Sequence, residues 1–184
     1  MLAIPALQSQ WHQAAKGLAA AASVGVALSI TWHMSIFAEE TDGLSRVIDK
    51  VPAGRRVTGV MHEPRTFAFQ HAVMVHASGY YTARKGGEHS YNFARYLSLP
   101  LTFRSGQPSW PYRGWEWSPN TYNSRCAYAR YYPIVLVRAP TKVKTETDVR
   151  TLVFGQQASV PKLIARDGRY WAFDSSDIPP DGTL

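Results

Sequence analysis

The chain has 184 residues, enough for one domain or a domain with an appendage, and it is 45% hydrophobic but only 18% charged. That deficit of charge points to a membrane-embedded part or a large apolar contact surface, and the single cysteine, Cys126, excludes an internal disulfide and any cysteine-based zinc or iron–sulfur site. The net charge of +7 comes from Lys and Arg dispersed along the chain, a pattern of a solvated basic surface rather than of the basic stripe of a nucleic-acid binder.

Residues 1–16 form a cytoplasmic or interfacial segment in which Ile4 and Leu7 are apolar and Trp11 is an aromatic anchor. From Gly17 to Phe37 there is no Asp, Glu, Lys or Arg. Twenty-one residues at ~1.5 Å each span about 31 Å, the thickness of a bilayer's hydrocarbon core, so residues 17–37 are expected to be a transmembrane helix. A cleavable signal peptide fits less well. Its apolar core would be too long, the region before it is barely basic, and Ile36-Phe37-Ala38 is a poor small-x-small site. Lys16 precedes the span while Glu39, Glu40 and Asp42 follow it, which by the positive-inside rule puts the N-terminus in the cytoplasm. The expected location is a bacterial cytoplasmic membrane, crossed once, with residues 38–184 forming a periplasmic domain. Gly17, Ala21, Gly25 and Ser29 follow each other at intervals of four, a spacing that lets a second helix approach closely in lipid. His33 continues the row near the outer end.

Asp42–Val51 reads as a short helix, apolar at Leu44, Val47, Ile48 and Val51 and stopped by Pro52-Ala53-Gly54. Arg56–Met61 reads as a strand. Phe67–Tyr81 is ambiguous, though its length favours a helix ended by Lys85-Gly86-Gly87. Leu99–Arg104 and Pro133–Arg138 are short apolar runs with the character of core strands. Val160–Ala165 and Tyr170–Asp174 flank Arg166-Asp167-Gly168-Arg169, and Asp-Gly between two apolar runs is a hairpin signal. The expected fold class is α/β: one N-terminal transmembrane helix followed by a small sandwich-like soluble domain.

The stretch from Ser105 to Tyr132 is dense in aromatic residues, among them Trp110, Tyr112, Trp115, Trp117 and Tyr122, interleaved with Pro, Gly, Asn and Arg113. Pro108, Pro111 and Pro119 each remove a backbone donor, so it cannot be one regular element. Its aromatic content argues against disorder. Trp, Tyr and Arg dominate protein interface hot spots, so Trp110, Tyr112, Arg113, Trp115, Trp117 and Tyr122 are candidate partner-binding residues. The alternatives are a loop that caps its own core and a platform for glycan or lipid headgroups.

Val51–Pro140 resembles the C-terminal extramembrane domain of bacterial polytopic membrane proteins of the glycosyltransferase type. The resemblance is carried by Val51-Pro52-Ala53-Gly54-Arg55-Arg56-Val57, by His76, Tyr80 and Tyr81, by Gly86, Gly87, Phe93 and Ala94, by Pro100-Leu101, and by Tyr132, Val135, Leu136, Val137 and Arg138. It covers about half the chain, and its motifs are soft. It implies a relative of that domain without the many membrane helices, and without the early membrane loops where the family's catalytic carboxylates lie.

No P-loop, G-x-G-x-x-G, H-E-x-x-H or G-x-S-x-G occurs in the sequence. His71 and His76 are five apart and fall on different faces of a helix. No acidic pair has evident acid–base spacing, and nothing suggests an activated Cys126 thiolate. The expectation is therefore a non-catalytic accessory or structural subunit of a larger membrane complex, photosynthetic or respiratory for example, without cofactor or bound metal. It would dock on other membrane subunits through its helix and aromatic loop. The alternative is an envelope protein binding glycan or lipid headgroups, or a truncated relative of a membrane glycosyltransferase.

Overall fold

The structure, a computed structural model, describes residues 4–69, 71–90 and 115–179. A single 47-residue helix, α1 (Ile4–Lys50), leads into a five-stranded sheet. The remaining elements are β1 (Arg56–Met61), a 3-10 turn (Val73–His76) continuing into α2 (Ala77–Lys85), β2 (Glu88–His89), α3 (Ala127–Tyr131), β3 (Ile134–Arg138), α4 (Glu146–Phe154), β4 (Lys162–Asp167) and β5 (Tyr170–Asp174). The sheet order is β2-β1-β3-β5-β4. β1 is parallel to both β2 and β3, and β5 is antiparallel to β3 and β4. The fold class is α/β, as expected.

The central strand β3 is buried along its whole length, which is why Ile134–Val137 is a continuous apolar run rather than an alternating one. Its alternate residues feed two cores. On one face Val57, Met61, Ile134, Leu136, Tyr170 and Ala172 pack under Leu44, Val47, Ile48 and Val51 of α1 and Ala77 and Tyr81 of α2. On the other, Val60, Val135, Val137, Trp171 and Phe173 pack under Val149, Val153 and Phe154 of α4. The sheet is thus covered by helices on both sides.

The structure departs from the sequence reading in three places. The helix expected over Asp42–Val51 is the last part of α1, because Ala38, Glu39 and Glu40 continue the helix and no breaker intervenes before Pro52. The helix expected over Phe67–Tyr81 starts only at the 3-10 turn. Ahead of it, the Phe69 amide donates to the Thr66 hydroxyl at 3.0 Å, and the Phe69 ring packs edge-on against Phe37 at 5.4 Å. Third, α4 was not anticipated. Its signal is local: Thr145 is the N-cap, accepting from the Asp148 amide at 3.2 Å, before the apolar residues Val149 and Val153 at i,i+4. The strand expected over Leu99–Arg104 lies outside the described residues. The Asp-Gly hairpin joins β4 to β5, with Gly168 at φ +55 where a side chain would be strained.

Candidate functional site

Between Trp11 and Ser35 every residue of α1 is exposed, and Leu18, Val24, Val26, Leu28, Ile30, Trp32 and Met34 stand in sequence positions that go all round the helix. A helix that is apolar on every side and touches nothing has no stable place in water. It is long and apolar enough to cross a membrane. Its polar side chains turn back onto its own backbone: Ser23 to the Ala19 carbonyl, Thr31 to Ala27, Ser35 to Trp32, and His33 Nδ1 to Ser29 at 2.7 Å.

The small-residue face is open. Nothing lies within 4 Å of a side chain built at Gly17 or Gly25, and Ala21 and Ser29 are exposed. At ~100° per residue each step of four drifts by ~40°, so this row winds round the helix and continues through His33 to Phe37, Thr41 and Ser45. Those last three line a cavity of about 420 Å³ between α1 and the Val73–Tyr80 segment, together with Met74, His76 and Ala77. Tyr80 and Val73 are exposed at its margin, and the His76 ring meets Trp117 at 5.8 Å.

The candidate aromatic residues divide. Trp117 is 56% exposed beside that cavity. Trp115 is only 5% exposed and packs edge-on to Tyr122 at 5.0 Å, and Tyr122 in turn meets Phe154 at 6.3 Å. Trp115 and Tyr122 therefore close the chain's own core against α4, and Trp117 presents itself outward. Trp110, Tyr112 and Arg113 lie outside the described residues.

What orients α1 on the domain is an ion pair. Arg138, 1% exposed at the end of β3, donates to Glu40 Oε1 at 3.1 Å and to the carbonyls of Glu63 and Arg65 at 2.6 Å each. Burial lowers its pKa, and Glu40 and Glu63 pull the other way. One turn further on, Gly43 passes so close to the β4–β5 hairpin that a Cβ there would sit 3.1 Å from the Asp167 carbonyl oxygen and from Tyr170. Arg46 then pairs with both Asp42 and Asp167.

A second cluster was not legible in the sequence. Glu116, flanked by Trp115 and Trp117, is buried with its Oε1 accepting from Ser78 of α2 at 2.5 Å and from Ser90 at 3.2 Å. Ser90 also accepts from Thr58 of β1 at 2.9 Å. Among the described residues Oε2 has no partner, and burial raises the pKa to about 7 against the two hydroxyl hydrogen bonds, so the carboxyl holds a proton near neutrality. His89 is pushed down to about 4 by burial and by the nearby His76, and burial lowers His62 and His76 as well. These imidazoles are neutral, and His89 pairs with Thr82 at 3.1 Å rather than with a serine. The arrangement ties the chain around Trp115 to α2 and to the end of β2, with both serine hydroxyls donating to the Glu116 carboxyl. Among the described residues no three His, Cys, Asp or Glu converge to hold a metal.

Comparison with protein-family models, with curated proteins and with solved structures finds no match for this chain.

Proposed function

We propose that the protein is a membrane-anchored, non-catalytic subunit that docks a second membrane helix. The observation that carries the reading is the open row of small residues, Gly17, Ala21, Gly25 and Ser29, along the apolar stretch. The cavity walled by Phe37, Thr41, Ser45 and α2 opens further along the helix, turned about 160° from Gly25 at Thr41. Small residues let a neighbouring backbone approach in lipid, and the exposed Trp117, Tyr80 and Val73 offer a separate apolar area beside the cavity, outside the exposed stretch. Among the described candidates Trp117 is the anchor outside the span, since Trp115 and Tyr122 are engaged in the core; Trp110, Tyr112 and Arg113 stay candidates beside it. The domain's placement outside the cytoplasm rests on Lys16 before the span and on Glu39, Glu40 and Asp42 after it, while Arg46, Lys50, Arg55 and Arg56 weigh for the opposite side, and protease access in intact spheroplasts is the measurement that decides.

The test is gentle solubilisation of the native membrane followed by co-purification, after alkaline carbonate washing has shown the chain to remain in the pellet. Gly25→Leu and Trp117→Ala should each reduce what co-purifies about tenfold, the change expected from a loss of ~1.4 kcal/mol. Both variants co-purifying at the level of the unsubstituted chain would sink the docking reading. Recovery of the chain in the carbonate supernatant would sink the anchor.

A further inference from the structure

The described residues of the loop between β1 and the 3-10 turn, 62–69 and 71–72, lie beside α1 where the apolar stretch ends. Phe69 packs on Phe37, and the Phe67 amide donates to Glu40 Oε2 at 2.8 Å. The loop is held firmly: Arg138 binds the carbonyls of Glu63 and Arg65, the Thr66 hydroxyl accepts from the Phe69 amide, and the Met74 amide donates to the Pro64 carbonyl at 3.0 Å. On this fixed loop the Phe67 side chain is 86% exposed, more than any other large hydrophobic among the described residues, the apolar stretch of α1 included. A well-anchored aromatic side chain left in water forgoes apolar burial that a nearby bilayer would supply.

The geometry fits that environment. Glu40 is three residues beyond Phe37, or ~4.5 Å along the helix, which lies within the ~5–8 Å of headgroups on one side of a bilayer. The charges fit too. Arg65 is exposed on the loop itself. Lys142 and Lys144 are exposed on the neighbouring 139–145 segment, which is tied to the loop by the Thr141 amide and hydroxyl bonding Glu63 at 2.9 and 3.0 Å. The acids Glu40, Glu63, Asp42 and Asp167 are engaged by Arg138, Arg169 and Arg46, leaving Glu39 exposed beside them.

We propose that this loop is a second membrane contact, in which Phe67 enters the interface of the same bilayer and Arg65, Lys142 and Lys144 face anionic headgroups. The domain then lies against the membrane instead of standing off it on the helix. The proposal rests on the anchor reading above. It does not depend on the docking reading.

The experiment uses the full chain with Cys126→Ser, carrying a single environment-sensitive label at Leu28→Cys, Phe67→Cys or Ser159→Cys. Ser159 lies before β4, at the opposite end of the sheet. Each is reconstituted in phosphatidylcholine vesicles with and without phosphatidylglycerol, and quenched by lipids spin-labelled at shallow or deep positions. The label at 28 should respond to the deep quencher. The label at 67 should respond to the shallow one several-fold more than the label at 159, with an increase from phosphatidylglycerol that Arg65→Ser, Lys142→Ser and Lys144→Ser together abolish. Quenching at 28 with none at 67 overturns the second contact and leaves the anchor standing. Quenching at neither overturns both. An equal response at 67 with and without anionic lipid overturns the charged half of the contact. If the Cys126→Ser background melts early, Cys126→Ala replaces it, and a label at Arg65→Cys reads the same loop independently.

Discussion

Gly25 and Gly43 belong to one helix and meet opposite surroundings. Around Gly25 there is open space, while at Gly43 a single added carbon would press on the Asp167 backbone and the Tyr170 ring. The same division holds for the polar residues of α1. Ser23, Thr31 and His33 are satisfied within their own helix by carbonyls four residues back. Glu40 reaches across 98 residues of sequence to Arg138, and Arg46 reaches Asp167. Backbone conformation is identical in the two stretches; only what surrounds them differs. One part of α1 is self-contained, as a lipid-facing helix must be, and the other is a layer of a folded core.

The largest break in that contrast should come from Glu40→Ala. It leaves Arg138 buried without its carboxylate and frees the Phe67 amide, and removal of one member of a buried pair typically costs about 3–5 kcal/mol. Urea unfolding of the domain should register the loss, whereas Leu28→Ala in the exposed stretch should leave the same transition in place. Equal transitions for both variants would mean that the ion pair does not hold the helix to the sheet.

Glu116 sharpens the contrast from inside the domain, since among the described residues its Oε2 lacks the kind of local partner that Ser23, Thr31 and Ser35 find in the exposed stretch. Its folded pKa, about 7, is above the ordinary value of 4.5, so between those values the folded state keeps a proton that the unfolded chain has released. Stability from this group is therefore full below about pH 4.5, falls as pH rises through that window, and levels off above 7. The shift corresponds to roughly 3 kcal/mol at most. Glu116→Gln should flatten that dependence and raise the melting temperature at pH 8 relative to the unsubstituted chain. An unchanged pH profile would show that the carboxyl is ionised and solvated.

A smaller effect is expected from Gly43→Leu. Crowding the helix against the hairpin should cost about 1–3 kcal/mol and lower the melting temperature. Gly25→Leu should leave the melting temperature where it was, its effect appearing in co-purification alone. If both glycines behave alike, the two ends of α1 do not differ in the way the packing indicates.

Much of this molecule could be read from local pattern. The uncharged run from Gly17 to Phe37, the strands at Arg56–Met61 and Ile134–Arg138, and the Asp-Gly hairpin each carry their signal within a few residues. The signal for α4, Thr145 capping ahead of Val149 and Val153, was of the same kind but lay in a polar stretch whose apolar periodicity is short. The 67–81 segment does not follow its local pattern because contacts from another element, Phe69 on Phe37 and the Phe67 amide on Glu40, keep its first part out of a helix. Trp115 and Trp117 are two residues apart and of one type. Nothing in the sequence distinguishes the one that fills the core from the one at the surface.

The sequence by itself determined the elements whose causes are local: an apolar helix long enough to span a bilayer, a central strand with the continuous apolar run Ile134–Val137, and a turn that needs glycine at positive φ. Periodicity and turn chemistry act over a few residues and are written in order along the chain. Only the tertiary structure decided that α1 runs unbroken from the exposed stretch into the core, that Glu40 meets Arg138, that Glu116 is enclosed beside Ser78 and Ser90, and that Phe67 stands exposed beside the end of the apolar helix. Those outcomes depend on burial and on partners far away in sequence, and the desolvation that sets their energies does not exist until the layers have packed.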